Sequence, residues 1–118
     1  MKVLFVEYQK CTTCKRAKKW LSENSIDFED RDIKENNPSK EELKGWLDKS
    51  GLEIKKFFNT SGVLYREQGM KDKVKTLSED ELLDILASDG MMVKRPIVVT
   101  ESSILVGFKE AEWEEKLK

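Results

Sequence analysis

The sequence predicts an α/β fold, because segments typical of buried strands alternate with segments that have the periodicity of amphipathic helices. A short apolar strand, an amphipathic helix and a second strand come first, and a hairpin followed by a helix comes last. Between them lies a stretch that carries two helix-capping boxes. The predicted order is β-α-β, a helical insert and then β-β-α, which is the order of a thioredoxin-like fold with helices inserted before the hairpin.

The first β-α-β unit is predicted from three segments. Residues 3–6 are apolar and of β-branched or aromatic type, which is typical of a buried strand. From residue 13 to about residue 23, apolar side chains recur at spacings of three and four while basic side chains fill the other face, which predicts an amphipathic helix. Apolar and acidic side chains alternate in residues 26–29, which indicates a second strand.

The middle of the chain is predicted to be helical. S-x-x-E capping boxes at residues 39–42 and 78–81 predict two helices, of which the first ends at Gly51 and the second near Ala87. Residues 54–58 suggest a short helix, and the polar section after it carries no predicted element.

The last part of the chain is predicted to be a hairpin and a helix. Residues 97–100 and 104–106 are apolar strands, and residues 101–103 form a three-residue hairpin connection. Residues 109–117 then predict a helix that buries its apolar side.

The length and composition of the chain exclude several classes of function. With 118 residues the chain has room for one domain, which we expect to span residues 1–118. Twenty-two basic against 23 acidic residues give a net charge of -1, which argues against nucleic acid binding through excess positive charge. The absence of histidine excludes Cys/His and Ser/His nucleophile pairs and His-ligated zinc. No apolar run approaches the roughly 18 residues that a bilayer crossing needs, and the start of the chain does not resemble a signal peptide, so we expect a cytoplasmic protein that does not bind a membrane.

The motif that carries chemistry is Cys11-Thr12-Thr13-Cys14, a C-x-x-C directly after a strand and at the start of a helix. This setting is typical of a redox dithiol. Cys11 would lie before the first helical turn, where unpaired N–H groups and the helix dipole favour a thiolate. Cys14 lies one turn later, within reach to resolve a mixed disulfide on Cys11. We therefore predict that Cys11 is the nucleophile and Cys14 the resolving thiol.

Basic residues flank the predicted nucleophile. Lys10, Lys15 and Arg16 are expected to lower the pKa of Cys11, since nearby cations favour the thiolate. Lys10, with Thr12 and Thr13, is also expected to contact the substrate.

Two other interpretations of the C-x-x-C remain open. Half of a zinc site would need further ligands, and the chain has no third cysteine and no histidine, so we predict no metal. Two ordinary buried thiols are the stronger alternative, because free cysteine often packs as a small hydrophobe. The polar residues Lys10, Thr12 and Thr13 argue for exposure instead.

Arg95-Pro96 directly precedes the first strand of the predicted hairpin. In thioredoxin-like proteins a cis-proline precedes this strand and faces the reactive cysteine, so we expect Pro96 to be cis and to lie beside Cys11. Arg95 could then offer its guanidinium to a thiolate or an anionic substrate. The alternatives are a trans proline that starts a strand and an ordinary exposed arginine.

Four segments, CTTCKRAKKWL, KKFFNTSGVLYREQGMKDKV, LASDGMMVKRPIVV and ILVGFKEAEW, resemble the ArsC/Spx arsenate-reductase-like family over essentially the whole chain. The resemblance implies a glutaredoxin/thioredoxin-like fold with a helical insert. In the glutaredoxin-dependent arsenate reductases, one cysteine attacks arsenate and three arginines hold the anion and the thiolate. Cys11 matches that cysteine, and Arg95 matches the arginine before the proline.

The chain departs from that pattern at three positions. Asn59 and Gly107 stand where the other two arginines are expected, and Glu7 stands where the reductases have a histidine. The resemblance therefore implies a poor arsenate reductase in which Asn59 still lines the substrate site. Cys14 offers an internal disulfide instead of an external resolving thiol.

The Spx regulators of the family imply a second function. They share the C-x-x-C as a redox switch, match Arg95-Pro96, and use a glycine, to which Gly51 could correspond, in binding the RNA polymerase α subunit. The alternative is therefore a redox-sensing transcription regulator. A helix C-cap is the plain structural reason for a glycine at that position.

We predict a thiol-disulfide oxidoreductase of the arsenate-reductase-like kind that acts on small-molecule or protein thiols and disulfides. It should hold no bound cofactor and should draw electrons from an external thiol reductant of the glutathione, thioredoxin or bacillithiol type. Nothing in the sequence suggests an obligate dimer, so we expect a monomer.

Overall fold

The computed structural model describes residues 2–118. The chain forms two compact units, of which the first comprises the residues up to Asp32 and those from Arg95 onward, and the second is Ile33–Lys94. The single domain of residues 1–118 stays a prediction. In chain order the elements are β1 (Lys2–Glu7), α1 (Thr12–Glu23), β2 (Asp27–Asp32), α2 (Lys40–Ser50), a 3-10 turn (Ile54–Phe57), α3 (Val63–Glu67), α4 (Met70–Thr76), α5 (Glu79–Ser88), a second 3-10 turn (Gly90–Met92), β3 (Ile97–Val99), β4 (Ile104–Val106) and α6 (Glu110–Leu117).

The first unit is built on a four-stranded sheet of order β2-β1-β3-β4. β1 and β2 are parallel and are joined by α1, whereas β3 pairs antiparallel with both β1 and β4. The α/β class and the thioredoxin-like order of elements are therefore confirmed.

Aromatic side chains hold α1 and α6 on one face of this sheet. Phe5 on β1 contacts Trp113 of α6 edge-to-face with ring centroids 6.5 Å apart, and Trp20 of α1 meets Trp113 at 5.7 Å. Val3, Ala17 and the three aromatic residues belong to one buried cluster. Each such aromatic pair adds about 0.5–1.5 kcal/mol beyond its buried area. This packing fixes the start of α1, where the two cysteines lie.

β2 is longer and more polar than the alternation in residues 26–29 predicts. It runs Asp27–Asp32 and pairs in register with the whole of β1. The strand lies at the edge of the sheet, so backbone hydrogen bonds to β1 define it rather than a buried face. Its charged residues also discourage pairing with another chain, as is usual for edge strands.

The second unit contains the predicted capping boxes. Ser39 Oγ accepts a hydrogen bond from the Glu42 N–H at 3.1 Å, and the Glu42 carboxylate accepts from the Ser39 N–H at 3.0 Å. The box at Ser78 before α5 is formed in the same way. α2 ends at Gly51, whose φ of 68° is the left-handed conformation that favours glycine at a helix C-cap.

Two helices occupy the polar section that carried no predicted element. α3 has 5 residues and α4 has 7, and each buries only one side chain, Tyr65 and Met70 respectively. Helices this short show too few apolar residues for periodicity to reveal them, and packing stabilises them more than intrinsic propensity does. Tyr65 packs edge-to-face on Phe58, with ring centroids 6.2 Å apart.

Gly90 lies where the second unit has no room for a side chain. It is buried, and a Cβ there would collide with the backbone carbonyl of Ile33. The glycine is therefore required by close backbone approach.

None of the helices in residues 2–118 has the length and hydrophobicity that a membrane crossing needs.

Candidate active site

Cys11 caps the first helix with its sulfur atom. It is the N-cap residue of α1, with extended backbone angles, and its Sγ accepts a hydrogen bond from the N–H of Cys14 at 3.4 Å. The Cys11 N–H in turn donates to the Tyr8 carbonyl at 3.0 Å. A cysteine thus takes the position usually held by Ser, Thr, Asp or Asn, and its sulfur accepts one of the orphan N–H groups of the helix.

The surroundings of Cys11 favour its thiolate. Partial burial raises its pKa, but hydrogen bonds from the thiol and backbone N–H of Cys14 and the guanidinium of Arg95 lower it, and the net direction is below the usual value. Each of these groups stabilises negative charge on the sulfur. Cys11 is half-buried, so the sulfur is accessible to a reactant.

Cys14 has the opposite character. It is fully buried on the inner face of α1. The pKa of Cys14 is raised to about 12, chiefly by burial; a backbone hydrogen bond at Tyr8 opposes the rise, and a hydrogen bond to Cys11 and the charges of Cys11 and Glu7 contribute to it. Both cysteines are free thiols in this structure. The pair therefore consists of a half-buried thiol with a lowered pKa and a buried thiol with a raised pKa.

Arg95 and Pro96 lie at the start of β3. The Arg95-Pro96 peptide bond is cis, which confirms the prediction for this bond. The Arg95 guanidinium lies over the ring of Tyr8, 5.2 Å from its centroid, and hydrogen bonds to the Cys11 side chain. A contact between Pro96 and Cys11 stays a prediction.

Arg95 is a cation that favours the Cys11 thiolate. Its guanidinium lowers the pKa of Cys11 through its charge and through a hydrogen bond. Arg16 lies over the ring of Phe108, 6.0 Å from its centroid. An effect of Lys10, Lys15 or Arg16 on the pKa of Cys11 stays a prediction.

The predicted substrate residues occupy different surroundings. Lys10 and Thr12 are exposed and Thr13 is half-buried, all three next to the cysteines in the chain. Asn59 belongs to the second unit, where its N–H donates to the Met92 carbonyl at 2.9 Å. Contacts of these four residues with a substrate stay predictions.

Gly107 provides no cation and has a backbone reason to be glycine. Its φ is 80°, and its N–H donates to the Pro96 carbonyl at 2.8 Å. An arginine at this position would be strained in the left-handed conformation.

Glu7 is a site residue whose role the sequence analysis missed. It is 3% exposed, and its Oε2 lies 3.4 Å from Lys18 Nζ, which also pairs with Asp30 at 2.6 Å. The pKa of Glu7 is raised to about 7, chiefly by burial and also by Asp30, while Lys18 opposes the rise. The alternation of Val3, Phe5 and Glu7 along β1 is a signal that could have placed this carboxyl on the buried face.

No set of three or more metal-ligating side chains among residues 2–118 is arranged to hold a metal ion. The ionisable groups described at this site are two thiols, a guanidinium and a buried carboxyl.

A thioredoxin-like sheet with paired cysteines at the start of its first helix defines the class of the protein. Residues 6–116 match the ArsC family. The chain therefore belongs to the ArsC family, as the resemblance of its motifs implies.

Two solved structures are similar to this chain over nearly its full length. An ArsC family related protein from Bacteroides fragilis is 54% identical, with a TM-score of 0.94 and coverage of 98% of this chain and 97% of that one. A protein described as a possible arsenate reductase from Streptococcus mutans UA159 is 47% identical, with a TM-score of 0.87 and coverage of 95% and 97%.

Sequence relatives include a protein without assigned function and a regulator. YusI of Bacillus subtilis is 52% identical over 115 residues, which are 98% of each chain. The global transcriptional regulator Spx 2 of Bacillus anthracis is 28% identical over 102 residues, which are 86% of this chain and 76% of the regulator.

Proposed function

We propose that the protein is a thiol-disulfide oxidoreductase in which Cys11 attacks and Cys14 resolves. The Cys11 thiolate attacks one sulfur of a substrate disulfide, forms a mixed disulfide and releases the other sulfur as a thiolate. Cys14 then loses its proton to solvent as its sulfur forms a bond to Cys11 Sγ, and the second substrate sulfur leaves as a thiolate with the electron pair of the broken disulfide bond. The substrate gains two electrons and the cysteine pair loses them, and an external thiol reductant restores the pair.

The observation that carries this proposal is the contrast between two thiols that lie one helical turn apart. The Cys14 N–H contacts Cys11 Sγ at 3.4 Å, so the two residues are close in the described structure. The pKa of Cys11 is lowered and that of Cys14 is raised to about 12. Because only a thiolate attacks, Cys11 reacts first and Cys14 becomes reactive when the mixed disulfide holds a sulfur beside it.

The positive charge of the Arg95 guanidinium favours the binding of an anionic substrate or reductant. A carboxylate on a small thiol such as glutathione or bacillithiol, or an acidic protein thiol of the thioredoxin type, would complement it. The protein would then act as a monomer in the cytoplasm, where thiols are kept reduced.

Arsenate is a poor fit to the same site. A hydrogen bond to a charged group is worth about 1.5–3 kcal/mol, so each missing guanidinium corresponds to a loss of about tenfold to a hundredfold in binding. Gly107 has no side chain to replace one of them, and Asn59 is neutral. We propose that arsenate turnover is at most very weak.

Alkylation rates of the two single-cysteine variants test the assignment. Cys14→Ser, which keeps Cys11, should react with iodoacetamide at neutral pH much faster than Cys11→Ser, which keeps Cys14. The wild type should reduce a glutathione mixed disulfide, and Cys11→Ser should not. Faster alkylation of the protein that keeps only Cys14 would contradict the roles, and steady-state arsenate turnover equal to that of a dedicated reductase, with Cys14→Ser fully active, would contradict the activity.

The relatives named as a regulatory protein and as a global transcriptional regulator favour a second candidate, a redox-sensing protein that binds RNA polymerase through its α subunit. Gly51 ends α2, and Leu52 beside it is 41% exposed, so an apolar contact is available there. Calorimetry of the oxidised and reduced protein with the purified carboxy-terminal domain of the polymerase α chain tests this function. Binding of the oxidised form alone, without any thiol transfer, would favour the regulator over the oxidoreductase.

A further inference from the structure

Tyr8 lies where the chain turns from β1 towards the two cysteines. Its carbonyl accepts a hydrogen bond from the N–H of Cys11 at 3.0 Å, which closes a turn over residues 9 and 10. This bond fixes the distance between the end of the strand and the residue that carries the attacking sulfur. Tyr8 and Cys11 are both half-buried, so both border a surface that a reactant can reach.

The antiparallel pairing of β1 with β3 brings Arg95 to the ring of Tyr8. Val6 pairs with Ile97 at the end of the described ladder. Partner residues run in opposite directions in such a pair, so the same register continued by two residues sets Tyr8 opposite Arg95. The Arg95 guanidinium lies over the Tyr8 ring, 5.2 Å from its centroid, which is within the range of a cation–π contact.

The same guanidinium hydrogen bonds to the Cys11 side chain. Tyr8 therefore contacts Cys11 directly through its carbonyl, and through its ring it contacts the cation that serves the Cys11 sulfur. An arginine side chain has many rotamers in water, and an aromatic face beneath the guanidinium favours those in which the two groups stay stacked. Without the ring, the positive charge would spend more of its time away from the sulfur.

We propose that Tyr8 is a positioning residue that holds the Arg95 guanidinium beside Cys11 Sγ, and that this contact makes the site select anionic reactants. The proposal deepens the proposed function and rests on it, because Cys11 is the attacking sulfur there. A carboxylate carried by a thiol or disulfide substrate would meet a fixed positive charge within reach of that sulfur. Tyr8 acts through Arg95, and its role needs no contact with the substrate.

Two alkylating reagents of nearly the same size measure this selection. Iodoacetate is an anion and iodoacetamide is neutral. In both reactions the Cys11 thiolate forms a bond to the CH₂ carbon, and iodide leaves with the electron pair of the carbon–iodine bond. Because both reagents react with the same thiolate, the ratio of their rates at one pH does not depend on the ionised fraction of Cys11. The ratio reports the charge that an approaching reactant meets.

Removal of the Tyr8 ring should lower the ratio of the iodoacetate rate to the iodoacetamide rate, measured in a Cys14→Ser background so that only Cys11 reacts. Tyr8→Leu and Tyr8→Met keep the backbone carbonyl and an apolar side chain, and each should lower the ratio by about twofold to fivefold. The test stands if one of them does not fold. Tyr8→Phe keeps an aromatic face and should retain most of the wild-type ratio.

Two comparisons separate positioning from packing. Arg95→Met should lower the ratio at least as much as Tyr8→Leu, and combining the two should lower it no further, since the ring then has no guanidinium to hold. Phe108→Leu removes the ring beneath another arginine, Arg16, and is the matched control that should keep the wild-type ratio.

The outcomes also separate this proposal from the proposed function. The positioning role is wrong if a folded Tyr8→Leu or Tyr8→Met variant keeps the wild-type ratio, if Tyr8→Leu has the same effect with and without Arg95, or if Phe108→Leu lowers the ratio equally. Each of these results leaves the oxidoreductase in place. If the ratios change as expected but the wild type does not reduce a glutathione mixed disulfide, the oxidoreductase is overturned and the positioning role of Tyr8 stands.

Discussion

Replacing Glu7 by glutamine should change how the stability of the reduced protein depends on pH. The folded protein raises the pKa of this carboxyl from 4.5 to about 7, chiefly by burial. A raised pKa means that the fold prefers the protonated form. The stabilisation by that proton is fully present below the ordinary pKa of glutamate and is lost as pH rises through about 7. Glutamine keeps the shape of the protonated carboxyl but does not titrate.

The size of the effect follows from the two pKa values. One pKa unit is worth about 1.4 kcal/mol, so the difference between 4.5 and about 7 corresponds to about 3 kcal/mol. The free energy of unfolding of Glu7→Gln minus that of the wild type should therefore increase by about 3 kcal/mol between pH 4.5 and pH 8. Screening by solvent reduces this free-energy difference only slightly, because the Glu7 side chain is 4% exposed.

Urea unfolding followed by tryptophan fluorescence measures this difference, with both cysteines kept reduced. Glu29→Gln, which removes a charge from an exposed position of β2, should track the wild type at every pH. A difference between Glu7→Gln and the wild type that stays flat, or that falls as pH rises, would refute the electrostatic account of this carboxyl.

Two further predictions concern the thiolate and the second unit. Arg95→Met should raise the pKa of Cys11 and slow its alkylation at pH 6 by about threefold to tenfold. Alkylation rates measured in a Cys14→Ser background test this, and the control variant Arg16→Met should leave the rate unchanged. Gly90→Ala should lower the free energy of unfolding by about 1–3 kcal/mol in urea titrations, because its methyl group would meet the Ile33 carbonyl, and unchanged stability would contradict that close approach.

Local patterns were sufficient to predict the fold and the centre of the site. The C-x-x-C after a strand and the two S-x-x-E boxes each depend on residues a few positions apart, and the structure contains α1, α2 and α5 where these patterns indicate them. The cis Arg95-Pro96 bond was expected by analogy with thioredoxin-like folds and is present. The resemblance to the ArsC family covers the same elements.

The features that were missed depend on contacts between distant parts of the chain. Arg95 also reaches Cys11 through tertiary structure, because β3 pairs beside β1, and it was expected there only by analogy with thioredoxin-like folds. Glu7, Lys18 and Asp30 come together because β2 brings Asp30 next to β1 in parallel register. A short apolar pattern could not show that β2 continues to Asp32, since an edge strand is held by its backbone hydrogen bonds.

The hydrogen bond that caps α1 depends on the oxidation state of Cys11 Sγ. A thiolate at Cys11 is a stronger acceptor for the Cys14 N–H than a sulfur engaged in a disulfide. Oxidation should therefore weaken the cap, and the Cys14 amide should exchange with solvent deuterium faster in the disulfide form. Because the cap is stronger in the reduced protein than in the disulfide form, it stabilises the reduced protein and makes its disulfide a stronger oxidant. The helix start thus helps to determine the direction in which electrons flow between the protein and its partners.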